Sequence, residues 1–168
     1  MRVSSHILAI SSSVFRIMFH PRFSEGVELG KSGHLELPLP DEDPDAMAVV
    51  CKVLHHREDS VSMTPAEILA IASIADKYDC PGAFNYHAYC WIAKQIPTYA
   101  PETLWQLLIA AFFFRQTATF QELSETLALY LHPACMSMLR PQPNTPECPK
   151  VLATMLGMLQ TQNCLQRC

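Results

Sequence analysis

Residues Ser4–Phe23, SSHILAISSSVFRIMFHPRF, decide how the rest of the 168-residue chain is read. Ile7, Leu8 and Ile10 make one short helical pattern, and Val14, Phe15, Ile17, Met18 and Phe19 make a second. Between them stands Ser11-Ser12-Ser13. A serine hydroxyl competes for backbone partners inside a helix, but at a helix start it satisfies a free N–H. Ser12 or Ser13 is therefore the expected N-cap of the second helix. A pair of apolar helices this short must be covered by the chain that follows.

Composition bounds what that chain can be. A globular chain of this length buries roughly 70% of its unfolded surface. With 49% apolar and only 17% charged residues, a real core is expected rather than disorder. Twelve Lys and Arg in a chain of net charge −4 exclude nonspecific nucleic-acid binding, which needs a clustered cationic excess. Seven cysteines, an odd number without C-x-x-C spacing, read as reduced, packed thiols of an intracellular setting. The opening run is broken by His6 and three serines, so it is not read as a signal peptide. The longest apolar run, Leu104 to Phe114, contains Gln106 and is about half of what a membrane span needs. The expectation is a soluble intracellular protein, cytoplasmic or nuclear, without membrane or nucleic-acid partners.

After Phe23, SEGVELGKSGHLELPLP holds three of the five glycines and then alternates Leu35, Leu37 and Leu39 with polar or proline residues. That predicts a turn leading into a short strand. Pro38 and Pro40 restrict it to an edge, and its partner must come from about Ser60–Met63 or from another chain. Asp43-Pro44-Asp45 opens a helix that runs to about His56 on Ala46, Val49, Val50, Val53 and Leu54. Thr64-Pro65-Ala66-Glu67 is a capping box ahead of Ile68, Leu69, Ile71, Ala72, Ala75 and Tyr78. Cys80-Pro81-Gly82 interrupts the run, and a further helix buries Phe84, Ala88, Trp91 and Ile92 before Pro97 stops it. Pro101 opens a helix apolar nearly all round, which must pack on more than one side. Thr119-Phe120-Gln121-Glu122 reads as a second capping box, with Leu123, Leu127 and Leu131 on the following stripe, so that the two helices form a hairpin. Five prolines between His132 and Pro149 read as a linker, followed by a last helix on Val151, Leu152, Met155, Leu156 and Leu159.

Together, SSHILAISSSVFRIMF with the following FSEG, ELPLPDEDPDAM entering a helix, and IADKYDC near a helix end resemble a BTB/POZ domain of the short fungal type. The similarity covers residues 2 to 96, and 101 to 131 resembles the helical tail behind such domains. It implies an α+β fold, predominantly helical, in which a BTB/POZ-like helical cluster carries a small residual β-sheet and a C-terminal helical extension. The divisions are a core over 1–96, lacking the leading β-hairpin of the family, and an extension over 97–168 with the Pro-rich linker around 132–149. The resemblance implies a noncatalytic protein–protein interaction module that self-associates or scaffolds. Its alternatives are a substrate adaptor for a cullin-type ubiquitin ligase and a truncated remnant without independent function. The partners it implies are proteins, a homodimer and a cullin scaffold among them.

The chemistry-bearing residues support no competing class. Asp41, Glu42, Asp43 and Asp45 resemble a calcium loop, but the sixth and twelfth positions are Ala46 and Lys52 where Gly and Glu are required. His87 and Cys90 could share a metal with Cys80, yet a zinc site needs four ligands and no fourth stands out. No nucleophile sits in a G-x-S-x-G elbow, and the glycines never cluster into a phosphate cradle. No catalytic residue, metal or cofactor is therefore expected. Phe112, Phe113 and Phe114 point about 100° apart and are expected inside a two-sided helix, the alternative being that part of the run is exposed as a partner surface. The residues expected at a partner surface are Phe15, Met18 and Phe19, and the turn His55, His56, Arg57, Glu58 and Asp59 after the third predicted helix.

Overall fold

Ser4 and Ser12 each stand one residue outside a helix and close its first turn. Ser4 Oγ accepts from the Ile7 N–H at the head of α1 (Ser5–Ser11), and Ser12 Oγ accepts from the Phe15 N–H at 3.1 Å at the head of α2 (Ser13–Met18). Ser12 is thus the cap that the serine run predicts. Its hydroxyl also donates to the Tyr78 carbonyl, tying the helix pair to a segment 66 residues away. The computed structural model describes residues 1–57, 62–95 and 100–130, together with Lys150, Ala153, Thr154 and Gly157.

The glycine-rich segment after Phe23 is a helix, α3 (Ser24–Ser32), where a turn is expected. Two of its glycines have structural reasons that a sequence pattern does not display. Gly26 is buried where any Cβ would collide with the His20 and Phe19 carbonyls, and Gly33 stops the helix in the left-handed conformation at φ 70°. The expected strand over 35–39 does not form a ladder. No strand occurs among the described residues, and Ser62–Thr64 is irregular, while Ser60 and Val61 lie outside them. The small sheet is therefore absent from the described fold, which is predominantly helical. The period-two pattern itself persists: Leu35, Leu37 and Leu39 are half-buried while Glu36 and Pro38 are exposed.

The next two helices start as their caps dictate. Asp43 Oδ1 accepts from the Ala46 N–H at 2.7 Å ahead of α4 (Pro44–Leu54), and Thr64 and Glu67 exchange the two bonds of a capping box ahead of α5 (Pro65–Lys77). A 3₁₀ turn (Pro81–Phe84) leads into α6 (Asn85–Gln95), whose Ala88, Trp91 and Ile92 are buried as expected. Then come α7 (Pro101–Phe113) and α8 (Thr117–Tyr130). Thr119 lies inside α8 rather than at its cap, because the helix already begins at Thr117. The Pro-rich linker and most of the last predicted helix lie outside the described residues.

Helix α5 is the axis of the fold. It packs against α4, α6, the 3₁₀ turn and, most extensively, α7, and α7 pairs with α8 as a hairpin. One hydrophobic cluster runs from Leu8 and Phe15 through Ile71 to Leu108 and Leu127, so α7 and α8 share their core with the helices before residue 96. Phe113 and Phe114 are buried and Phe112 packs half-buried against them, with Phe114 stacked on Phe84 at 5.5 Å between ring centroids.

Candidate functional site

The helix pair that opens the chain sorts its apolar residues by the 100° step between neighbours. In α2, Phe15 is 2% exposed and stacks between Phe19 at 5.7 Å and Tyr78 at 4.6 Å, whereas Ile17, two residues on and about 200° around the helix, is 55% exposed. In α1, Leu8 is buried and Ile10 is 72% exposed by the same step. Phe15 is thus a core residue, not a partner contact. Met18 and Phe19 are half-buried and pack against the core. Met1, Val3, Ile10, Ile17, Phe23 and Val27 are exposed large apolar residues in the first 27 positions; among the described residues only Tyr86 and Tyr89 join them elsewhere as large exposed apolar side chains.

Helix α4 ends in a Schellman motif, with the His56 N–H donating to the Val53 carbonyl at 3.0 Å and the Arg57 N–H to the Lys52 carbonyl at 2.9 Å. His56 therefore takes the left-handed conformation at φ 53°, and both His56 and Arg57 are exposed. His55 has a structural task instead. Its Nε2 accepts from the Ser4 N–H at 2.9 Å, which leaves Nδ1 to donate to the Cys51 carbonyl at 2.7 Å. The start of α1 thus meets the end of α4, while Phe15, Met18 and Phe19 lie on and after α2. Glu58 and Asp59 lie outside the described residues.

The IADKYDC segment forms the densest polar junction. The Tyr78 hydroxyl donates to Glu42 Oε1 at 3.0 Å, and Lys77 pairs with the same carboxylate. Burial, then the hydrogen bond to Glu42, pushes the Tyr78 phenol above its ordinary range. Asp79, at φ 48° after α5, accepts from Ser13 Oγ at 2.6 Å and from Arg115 at 3.0 Å. These hydrogen bonds, that from Ser13 foremost, hold its carboxyl below the usual aspartate range. Burial raises the Cys80 thiol to about 12, aided by Asp79, and burial also raises Cys51. Both thiols are poor nucleophiles in this setting. Among the described residues no three of His, Cys, Asp and Glu are placed to share a metal ion.

A groove of about 650 Å³ separates the N-terminal residues from the segment after α3, lined by Met1, Val3, Leu8, Phe19, Leu35 and Leu37 among others. Two of its lining residues, Met1 and Val3, are themselves exposed. No helix among the described residues is long and apolar enough to cross a membrane. Compared with protein-family models, with curated proteins and with solved structures, the chain matches none.

Proposed function

We propose that the chain is a noncatalytic protein-interaction module of the BTB/POZ type, acting by self-association or as a scaffold. The observation that carries this reading is the concentration of exposed apolar side chains in residues 1–27, because exposed apolar groups gathered in one region mark a surface that another protein covers. Support also comes from the order of elements: a serine-capped helix pair, an aspartate-capped helix, a capping-box helix that ends in IADKYDC, and a further helix. The α+β form of the family would require Leu35–Leu39 to find a strand partner. Light scattering on size-exclusion eluates over a concentration series tests self-association. The mass is expected to rise above 18.9 kDa as concentration increases, and a strict monomer at high micromolar concentration would leave only the scaffold role.

A second reading, an adaptor for a cullin-type ligase, is favoured by the exposed and conformationally fixed His56-Arg57 turn. It expects a cullin to copurify from the native host and to be lost in His56→Ala/Arg57→Ala. Copurification that survives this double substitution would remove the turn from the reading.

A further inference from the structure

We infer that one edge of residues 35–39 pairs in antiparallel register with the same segment of a second copy of this chain. The inference rests on the self-association arm of the proposed function and names its contact. Exposure alternates along the segment: Leu35, Leu37 and Leu39 are half-buried, with Leu37 and Leu39 packed against the core, while Glu36 and Pro38 are exposed. That is the pattern of a strand lying with one face on a core. Yet among the described residues the N–H groups of Leu35, Glu36 and Leu37 have no hydrogen-bond partner, and all three residues border the groove of about 650 Å³.

In an extended chain the N–H and C=O of alternate residues point to the same edge. Leu35, Leu37 and Leu39 therefore arm one edge with three donors and three acceptors. The opposite edge belongs to Glu36, Pro38 and Pro40, and two of its three positions lack an N–H. Only one edge can pair well, so association closes at two strands and does not propagate. That edge is self-complementary about a twofold axis, because Leu37 exchanges both bonds with its own copy and Leu35 does so with Leu39. Charge selects this register. Centring the pair one residue earlier would set the two Glu36 carboxylates directly opposite each other, which is unfavourable, whereas the Leu37 register sets Glu36 opposite Pro38. The Leu39 carbonyl already accepts from the Glu42 N–H and keeps a second lone pair for the ladder.

Residue-resolved amide exchange, measured below and above the dimerisation midpoint found by light scattering, tests the contact. The Leu35, Leu37 and Leu39 amides are expected to slow by about tenfold or more on dimerisation, while Glu36 does not change. Leu37→Pro, which removes a donor from the pairing edge, is expected to stay monomeric with its helical circular dichroism intact. Glu36→Pro, which removes one from the idle edge, is expected to dimerise as the natural chain does. A Leu37→Pro protein that still dimerises would overturn the edge contact and leave self-association standing. A natural chain that stays monomeric would overturn both. Edge amides already protected in the monomer would mean that the chain covers its own edge, and would also overturn the inference. Should Leu37→Pro fail to fold, the alternation of protection in the natural sequence decides alone.

Discussion

Asp79 and Arg115 each stand two residues past the end of a helix in the left-handed conformation, at φ 48° and 58°, and their side chains join at 3.0 Å. Both helices end in Schellman motifs, with the Cys80 N–H reaching the Ala75 carbonyl and the Gln116 N–H reaching the Ala111 carbonyl. Glycine is the usual residue at such a position. Here the conformational cost is accepted by two charged residues whose carboxylate and guanidinium, with Ser13 on the other carboxylate oxygen, connect the ends of α5 and α7 to the start of α2.

This junction predicts an order of stability. Asp79→Asn keeps a residue tolerant of the left-handed region and loses the charge. Asp79→Ala loses both partners as well as that tolerance. Urea midpoints are expected to fall from the natural chain to Asn to Ala. Because the folded Asp79 carboxyl titrates below its ordinary value, its contribution is present in full above the unfolded aspartate range and is lost as pH falls through the lowered folded value. The gap between the natural chain and Asp79→Asn is thus expected to be flat from neutral pH down to about 5 and to close below about 4. It should also narrow with added salt, since the pair is exposed. A gap independent of pH would assign the effect to geometry rather than charge.

His56 adopts the same backbone conformation without a comparable partner, at φ 53° and exposed to solvent. His56→Gly is therefore expected to stabilise the chain by about 0.5–1 kcal/mol, by relieving the left-handed strain at the end of α4. Arg115→Gly relieves the same strain but removes the contacts to Asp79 and Asp76, so its gain should be smaller or negative. Thermal unfolding of the two variants side by side measures the difference. Equal gains would show that the Arg115 contacts contribute nothing.

Much of this arrangement was legible in the sequence. Capping chemistry is local, so Ser12, Asp43 and the Thr64–Glu67 box announce their helices within four residues, and apolar spacing identifies Ile68, Ile71, Ala88 and Trp91 as core. What the sequence hid depends on distant chain. Gly26 reads as a turn former until the His20 carbonyl is seen against it, and His55 reads as a surface residue until the Ser4 N–H reaches it. The exposure of residues 35–39 alternates as the sequence does, but the strand expected there does not form, because a ladder needs a second strand, which no pattern inside one segment can supply. At the partner surface, adjacent apolar residues of α2 could be sorted into Phe15 inside and Ile17 outside only once the direction of the core was known.

That sorting can be measured. Phe15 is packed between two rings and fully buried, so Phe15→Ala is expected to cost about 3–5 kcal/mol. Ile17→Ser should stay within about 0.5 kcal/mol of the natural chain. It should also elute earlier from a hydrophobic-interaction column, because it removes exposed apolar surface. Denaturant titration gives the first pair of values and retention the second. A large stability loss at Ile17 would place that side chain in the core and count against the apolar surface of residues 1–27.

Gly26 and Gly30 lie four residues apart in α3 and are expected to respond to alanine with opposite sign. Nothing stands within 4 Å of the position a Cβ would take on Gly30, so Gly30→Ala should gain about 0.5–1 kcal/mol, the helix-propensity difference between the two residues. At Gly26 the added carbon would meet the His20 and Phe19 carbonyls, which are backbone and cannot swing aside as a side chain would. Accommodation requires α3 to move away from the end of α2, and Gly26→Ala should lose about 1–3 kcal/mol. Urea denaturation of the two single variants decides the matter. Shifts of the same sign would mean that α3 does not sit against the His20 carbonyl in solution.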